Sequence, residues 1–132
     1  MNAGGPVPAI APTDAAQRLG RGAAEPGAPG AEATPLLVDV REPNEFATLR
    51  IPGAVLLPLG DVASRFDDLP RDRPLILQCA SGKRSLAAAE YLRRQGFDDV
   101  SNLDGGIIAW RAAGLPVSEG AVLPGEGDLP PR

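Results

Sequence analysis

Short apolar runs recur through the middle of the chain, and each gives way to polar residues and then to a stretch with helical spacing. Residues 36–40, 54–57, 75–78 and 99–103 predict buried strands, and residues 7–10 predict a short edge strand. Helices are predicted at 13–19, 42–46, 62–69, 86–95 and 107–110. Strands that alternate with helices at these lengths predict an α/β fold with a mainly parallel sheet.

Glycine and proline mark the boundaries of this pattern. The chain of 132 residues contains 16 glycines and 15 prolines, and they are densest in the flanks of the alternating region. We therefore expect one domain over residues 10–117 with a Gly/Pro-rich insertion at 22–35. The N-terminus at 1–9 and the tail at 118–132 are expected to be flexible.

Composition and charge narrow the classes of function. Hydrophobic residues make up 43% and charged residues 23% of the chain, which is typical of globular domains. The net charge of −4, without a basic stripe, argues against a nucleic-acid partner. One cysteine and no histidine exclude an intrachain disulfide and Cys/His metal sites, so no metal or cofactor is expected. Neither a signal peptide nor a membrane span is recognisable, so we expect a cytoplasmic protein without a membrane partner.

The only cysteine and the only lysine of the chain lie close together. Cys79 ends an apolar strand, and the small residues Ala80, Ser81 and Gly82 follow it as a tight loop. Lys83, Arg84 and Ser85 then lead into the helix predicted from residue 86. Ligands of parallel sheets bind beyond the carboxyl ends of the strands. Residues 79–85 are therefore the candidate active site.

The chemistry of this loop depends on the ionisation of the thiol, because only the thiolate is a nucleophile. A helix that begins near Ser85 directs unpaired N–H groups and its positive dipole end at the loop. Gly82 lets successive N–H groups converge as a nest, and Lys83 and Arg84 add positive charge. Without histidine no Cys–His pair is available, so activation must be electrostatic. Such activation suits a carrier thiol better than a hydrolase.

Simpler interpretations of these residues remain open. Cysteine on an apolar strand is often a small buried hydrophobe, although the loop and the cations argue against this for Cys79. Lys83 can be a solvated surface charge. Asp39 and Arg41 follow the strand at 36–40 and can line the site, but a structural ion pair or loop hydrogen bonds are the favoured interpretation. Trp110 is interpreted as core packing.

Four blocks of residues resemble the rhodanese-like domain family in order and spacing. They are Leu-Val-Asp-Val-Arg-Glu at 37–42, Ile-Pro-Gly-Ala at 51–54, the candidate loop at 79–85, and Gly-Gly-Ile-Ile-Ala-Trp at 105–110. The likeness covers residues 10–117 and is greatest to single-domain sulfurtransferases and to the rhodanese module of adenylyltransferase–sulfurtransferase fusions. One departure is Arg50, where many members have histidine, and we expect that position to be structural.

The resemblance implies a five-stranded, mainly parallel sheet with helices on both faces, and a persulfide mechanism. Cys79 would take the outer sulfur of a small-molecule donor such as thiosulfate. The sulfur would pass to cyanide in an assay, or to a thiol or a sulfur-carrier protein in the cell. By the same resemblance, the N–H groups of residues 80–85 would stabilise the persulfide. Arg84, with or without Lys83, would hold the anionic donor.

Two rival functions follow from related proteins. Phosphatases of the related fold have five residues between cysteine and arginine, whereas only four separate Cys79 from Arg84. The shorter loop makes a smaller cradle, which favours a sulfur atom over a tetrahedral phosphate. Non-catalytic rhodanese modules serve in binding or regulation and commonly lack the cysteine, so the presence of Cys79 favours the enzyme.

Overall fold

The computed structural model describes residues 5–20 and 34–131 of the chain. The strands are β1 (Ala9–Ile10), β2 (Leu36–Asp39), β3 (Leu49–Arg50), β4 (Val55–Leu56), β5 (Leu75–Gln78), β6 (Val100–Leu103) and β7 (Ser118–Glu119). The helices are α1 (Pro12–Gly20), α2 (Pro43–Thr48), α3 (Leu59–Arg65), α4 (Lys83–Arg94) and α5 (Gly106–Ala112), and a 3-10 turn at Phe66–Asp68 follows α3. The predicted alternation of strands and helices is therefore confirmed.

Five of the strands form one parallel sheet in the order β1-β6-β5-β2-β4. All four residues of β2, β5 and β6 are buried, as expected of strands covered on both faces. β1 is an edge strand, as predicted, and β4 forms the opposite edge. The five-stranded parallel sheet that the resemblance implied is confirmed.

The core has two layers because side chains alternate along the central strands. Val38 of β2 and Leu77 of β5 belong to a cluster with residues of α3 and α4. Leu37 and Ile76 point the other way and pack with residues of α1, α2 and α5. Helices therefore cover both faces of the sheet, and the carboxyl end of β5 lies at the centre of one end of the domain.

Helix α4 begins at Lys83, earlier than the predicted residue 86. Gly82 precedes it with φ of +102°, a left-handed conformation that favours glycine and turns the chain directly into the helix. The helical spacing predicts Leu86 on the buried face and Arg93 on the exposed face. Both predictions were wrong, because Leu86 is 38% exposed and Arg93 only 6%. The buried face of α4 is formed by Ser85, Ala88, Ala89, Leu92 and Arg93.

Residues 118–131, here called the C-terminal strap, lie along the domain. Within the strap, β7 pairs antiparallel with β3, a pairing that the sequence did not predict. Farther on, the N–H of Leu56 in β4 donates to the carbonyl of Gly127 at 2.8 Å, and Leu129 packs against the core. Flexibility of this segment stays a prediction, but the strap is in contact with the domain.

Arg50 fastens the strap. Its guanidinium, buried to 4% side-chain exposure, forms an ion pair with Glu126. It also donates to the carbonyls of Gly120 at 2.8 Å and Ala121 at 3.1 Å, and to that of Phe46 in α2 at 3.2 Å. These contacts support the structural role that was expected for Arg50.

Most of the predicted insertion at 22–35 lies outside the described residues, as do residues 1–4 of the predicted flexible N-terminus and residue 132. Pro8 accepts a backbone hydrogen bond from Asn102, so part of the N-terminal segment is joined to the sheet. Across residues 5–20 and 34–131, none of the helices has the length and apolarity that a membrane crossing requires.

Candidate active site

Cys79 lies directly after β5 and is almost fully buried, with 1% of its surface exposed. Its Sγ accepts a hydrogen bond from the Gly82 N–H at 3.1 Å. The N–H and the hydroxyl of Ser85 both lie at 3.4 Å from the same sulfur. The turn at Gly82 makes this possible, because it brings the first turn of α4 back over the end of the strand. Donors from the loop and the helix start thus converge on one atom.

Two carbonyl groups at the start of the loop, those of Cys79 and Ala80, are bound by the start of α5. Ile107 donates its N–H to the carbonyl of Cys79 at 2.9 Å, and Ile108 to that of Ala80 at 3.2 Å. Gly106 makes this approach possible, because a Cβ at that position would lie 2.3 Å from the Cys79 oxygen. The hydrogen bonds to α5 therefore hold the first part of the loop in place.

Asn102 of β6 fixes the far side of the loop. Its amide Nδ2 donates to the carbonyl of Gly82 at 2.9 Å, so its Oδ1 faces the hydroxyl of Ser85 at 2.6 Å. The hydroxyl has one proton for two acceptors, Asn102 Oδ1 and Cys79 Sγ. While Cys79 is a thiol, its S–H can donate to the Ser85 oxygen. Once Cys79 is a thiolate, the Ser85 proton can turn to the sulfur.

The pKa of Cys79 lies below its usual value. Burial of the thiol raises the pKa, but the Ser85 hydroxyl and the N–H groups of Ser85, Gly82 and Ser81 lower it by hydrogen bonding to the sulfur, and together they outweigh burial. The leading contributions to ionisation are thus hydrogen bonds from the loop and the helix start. This agrees with electrostatic activation without histidine, with dipoles contributing more than the predicted cations.

Arg84 was expected from the sequence to hold the anionic donor, but in the structure its guanidinium forms an ion pair with Glu45. Its Nη1 and Nη2 donate to Oε1 and Oε2 of Glu45 at 2.8 and 3.0 Å, a two-pronged contact between α4 and α2. The pair holds the pKa of Glu45 down to about 2, chiefly through the hydrogen bond from Arg84. The pKa of Arg84 is raised, first by Glu45 and also by the nearby Cys79.

Lys83 and Ser81 lie on the outer side of the loop. Both residues are exposed, and within the described part of the chain Lys83 forms no ion pair. It is the first residue of α4, and none of the hydrogen bonds to Cys79 Sγ among the described residues comes from it. A contribution of Lys83 to donor binding stays a prediction.

Asp39 and Arg41 bind each other rather than Cys79. The Asp39 carboxylate accepts from the Nε and Nη2 of Arg41 at 2.8–3.1 Å, and both side chains are buried. Arg41 also donates to the carbonyl of Leu49 at 2.7 Å and contacts that of Glu45 at 3.5 Å. The pair therefore braces α2 and β3 behind the site, as the structural interpretation expected. A direct role in lining the site stays a prediction.

Two residues of the site were missed from the sequence, Glu45 and Asn102. Glu45 stands three positions after Glu42, a spacing that marks a helix start, but nothing in that pattern names Arg84 as its partner. Asn102 is a polar residue in a buried strand, and its polarity was the only sign in the sequence of a contact with the loop. Both reach the loop from elements that are distant in sequence.

The parallel sheet and the thiol at the end of its central strand define an α/β protein in which loop N–H groups contact the sulfur of a cysteine. The model of the rhodanese-like domain family matches residues 13–113. The chain therefore belongs to the rhodanese-like domain family.

The relatives of the chain include enzymes of sulfur transfer. A sulfurtransferase of Allochromatium vinosum is 48% identical over 82 residues, which cover 62% of this chain and 77% of that protein. Thiosulfate sulfurtransferase GlpE of Pseudoalteromonas translucida is 40% identical over 78 residues, or 59% of this chain and 74% of that protein. Among solved structures, a rhodanese-related protein of Thermoplasma volcanium has a TM-score of 0.71 at 27% identity, covering 84% of this chain and 97% of that one. These relatives support a sulfurtransferase role.

Proposed function

We propose that the protein transfers sulfane sulfur from a small anionic donor such as thiosulfate to a nucleophilic acceptor through a persulfide on Cys79. The observation that carries the proposal is the convergence of the Gly82 and Ser85 donors on the Cys79 sulfur at 3.1–3.4 Å. Such a site stabilises negative charge on sulfur and needs no general base.

In the first half of the reaction the Cys79 thiolate attacks the outer sulfur of thiosulfate. A new S–S bond forms at Sγ, the S–S bond of thiosulfate breaks, and its electron pair leaves with sulfite. The negative charge then resides on the terminal sulfur of the persulfide. We propose that the N–H groups of Gly82 and Ser85, which lie at 3.1 and 3.4 Å from Sγ, stabilise the thiolate before the transfer and that the same loop stabilises the persulfide after it.

In the second half an acceptor attacks the terminal sulfur, and the electron pair of the S–S bond returns to Sγ as the thiolate. Cyanide would leave as thiocyanate, and a thiol acceptor would leave as a persulfide. We propose a thiol or a sulfur-carrier protein as the acceptor in the cell. Because Cys79 is almost completely covered, the acceptor must approach along the path that the donor used.

The size of the loop supports sulfur over phosphate. Four residues separate Cys79 from Arg84, and the N–H groups of Gly82 and Ser85 already point at the sulfur itself. A phosphatase loop instead needs N–H groups that surround three oxygens of a phosphate held above the sulfur. Sulfur transfer therefore fits this loop better.

The test is sulfur transfer from thiosulfate to cyanide by the wild type and by Cys79→Ala, with intact mass measured after exposure to thiosulfate. We expect turnover and one added sulfur atom in the wild type, and neither in Cys79→Ala. Ser81→Ala is the matched loop control and should still take up sulfur. Uptake of sulfur by Cys79→Ala, or hydrolysis of a generic aryl phosphate by the wild type without sulfur uptake, would contradict the proposal.

A further inference from the structure

The ion pair between Arg84 and Glu45 joins the first turn of α4 to α2, and both side chains are partly exposed. The exposed fractions of the two side chains are 37% and 30%. Arginine has five N–H donors in a planar fork, and the two contacts with Glu45 occupy the outer edge formed by Nη1 and Nη2. In the described residues the Nε edge of Arg84 has no protein oxygen as a hydrogen-bond partner. Arg84 thus keeps one edge for another ligand.

Glu45 is the fixed member of this pair. Its Oε1 also accepts the N–H of Glu42 at 2.9 Å, which closes a capping box at the start of α2. Its backbone carbonyl is contacted by Arg41, which the buried Asp39 holds in place. Since the carboxylate and the backbone of Glu45 are each held by a contact of their own, the position of the Arg84 guanidinium follows the position of Glu45.

Arg84 directly precedes Ser85, whose N–H and hydroxyl lie 3.4 Å from the Cys79 sulfur, so it belongs to the same turn of α4 that contacts the sulfur. Interaction with Cys79 contributes to the raised pKa of Arg84, after the larger contribution of Glu45. The guanidinium thus binds the carboxylate of Glu45 and also interacts with Cys79. With the pKa of Glu45 held at about 2, its carboxylate stays charged at every pH at which the thiolate forms.

We propose that Glu45 is a positioning residue for sulfur transfer, which acts through Arg84 by holding its guanidinium beside the Cys79 sulfur and neutralising its charge while no donor is bound. The inference rests on the proposed function of the site. Its physical consequence is that removing Arg84 alone leaves the Glu45 charge unpaired beside the active-site loop. Removing both charges should therefore be less harmful than removing Arg84 alone.

The test is a charge cycle made of Arg84→Gln, Glu45→Gln and the double variant. The first readout is the pH dependence of Cys79 alkylation by iodoacetamide, a neutral reagent that reports thiolate formation. Near pH 7 we expect Arg84→Gln to slow alkylation by roughly threefold to tenfold, because an unpaired like charge disfavours the thiolate. The double variant should return to within about twofold of the wild type, and Glu45→Gln alone should be faster than the wild type.

The second readout separates KM for thiosulfate from kcat in the transfer to cyanide. Arg84→Gln should raise KM by roughly tenfold, the scale of one lost charge-assisted contact, and the double variant should recover a part of this loss. Glu42→Gln is the matched control. It removes one carboxylate charge from the same helix start and can keep its capping hydrogen bond, but it does not touch Arg84, so both readouts should equal those of the wild type.

The outcomes separate the inference from the proposed function. Equal alkylation profiles for Arg84→Gln and the double variant, both folded, would overturn the role of Glu45, because a bridge that only joins α2 to α4 does not change the thiol. If alkylation is recovered in the double variant but the wild type transfers no sulfur, the proposed function is rejected. The coupling between Glu45, Arg84 and Cys79 would still hold.

Discussion

Two arginines, each paired with a glutamate, contact the same helix α2 in different ways. Arg50 is buried, and in addition to its ion pair with Glu126 it donates to four carbonyl groups. Arg84 is partly exposed, and in the described residues it uses one edge for Glu45. The first guanidinium is saturated with protein oxygens, whereas the second still has donors to offer.

The difference shows what distinguishes a structural arginine from a ligand-binding one. Both pairs look alike in a list of ion pairs, and neither is visible in the sequence. What differs is the number of N–H groups that the protein leaves unused. A saturated arginine contributes to folding, and an arginine with a free edge next to a nucleophile can bind an anionic substrate.

The sharpest test of this contrast is the removal of each arginine. Arg50→Ala should lower the free energy of unfolding by about 3 kcal/mol, because carbonyls of α2 and of the strap lose their donors, and a buried carbonyl without a partner costs about 1 to 3 kcal/mol. Arg84→Ala should lower it by less than about 1 kcal/mol, since its pair is partly exposed. Urea denaturation of both variants measures the two values.

Activity should show the opposite order. The folded fraction of Arg50→Ala should keep most of its sulfur transfer, while Arg84→Ala should lose transfer without losing structure. Arg65→Ala, which removes an exposed partner of Asp68, is the surface control for both measurements. If Arg84→Ala destabilised the domain as much as Arg50→Ala did, the contrast would be wrong.

A second prediction concerns what makes the active-site end rigid. We expect the active-site loop to be held by backbone contacts. Gly106, with φ of +62°, lies so close to the carbonyl of Cys79 that a Cβ would clash with it. Gly106→Ala should lower the free energy of unfolding by about 2 to 3 kcal/mol, since the left-handed conformation and the clash both cost energy. It should also change alkylation of Cys79, because the loop must shift.

Gly114→Ala is the matched control for that substitution. Gly114 has φ of +79°, and no atom lies within 4 Å of the position that an added methyl group would occupy, so only the conformational cost of about 1 to 2 kcal/mol applies. Alkylation of Cys79 should be unchanged in this variant. Equal effects of the two glycine substitutions on alkylation would remove the contact between α5 and the loop from the account.

The smallest expected effect is the pH dependence of the Glu45 pair. The pKa of Glu45 is lowered from 4.5 to about 2 by Arg84, so the folded state favours the ionised carboxylate. The stabilisation is therefore present above about pH 4.5 and is lost as the pH falls toward 2. The difference in unfolding free energy between the wild type and Glu45→Gln should be below about 1 kcal/mol and shrink over this range. A difference that grew with acidity would contradict the assignment.

The sequence predicted those features that depend on neighbouring residues. The strand that ends in Cys79, the turn at Gly82 and the helix beyond it follow from an apolar run, a glycine and helical spacing. Their local character explains why the strand, the turn and the helix were predicted close to where the structure has them. The resemblance to rhodanese-like domains then supplied the number of strands in the sheet.

The contacts that complete the site were not predictable, because they join distant elements. Glu45 lies 39 positions before Arg84, and Asn102 lies 17 positions after Ser85. The pairing of β3 with β7 was also missed, because strands of two residues carry no periodicity that a sequence could show. The start of α4 was missed because the polar residue Lys83 gives no apolar signal at the first helical position.

The strap has a consequence for the behaviour of the protein at high concentration. An open edge strand offers unpaired backbone groups to other molecules and so promotes aggregation. In this chain Gly127 accepts the N–H of Leu56 at the edge strand β4 and so withdraws that donor from intermolecular pairing. The strap, which lies beyond the residues that match the family, thereby shields a sheet edge from self-association.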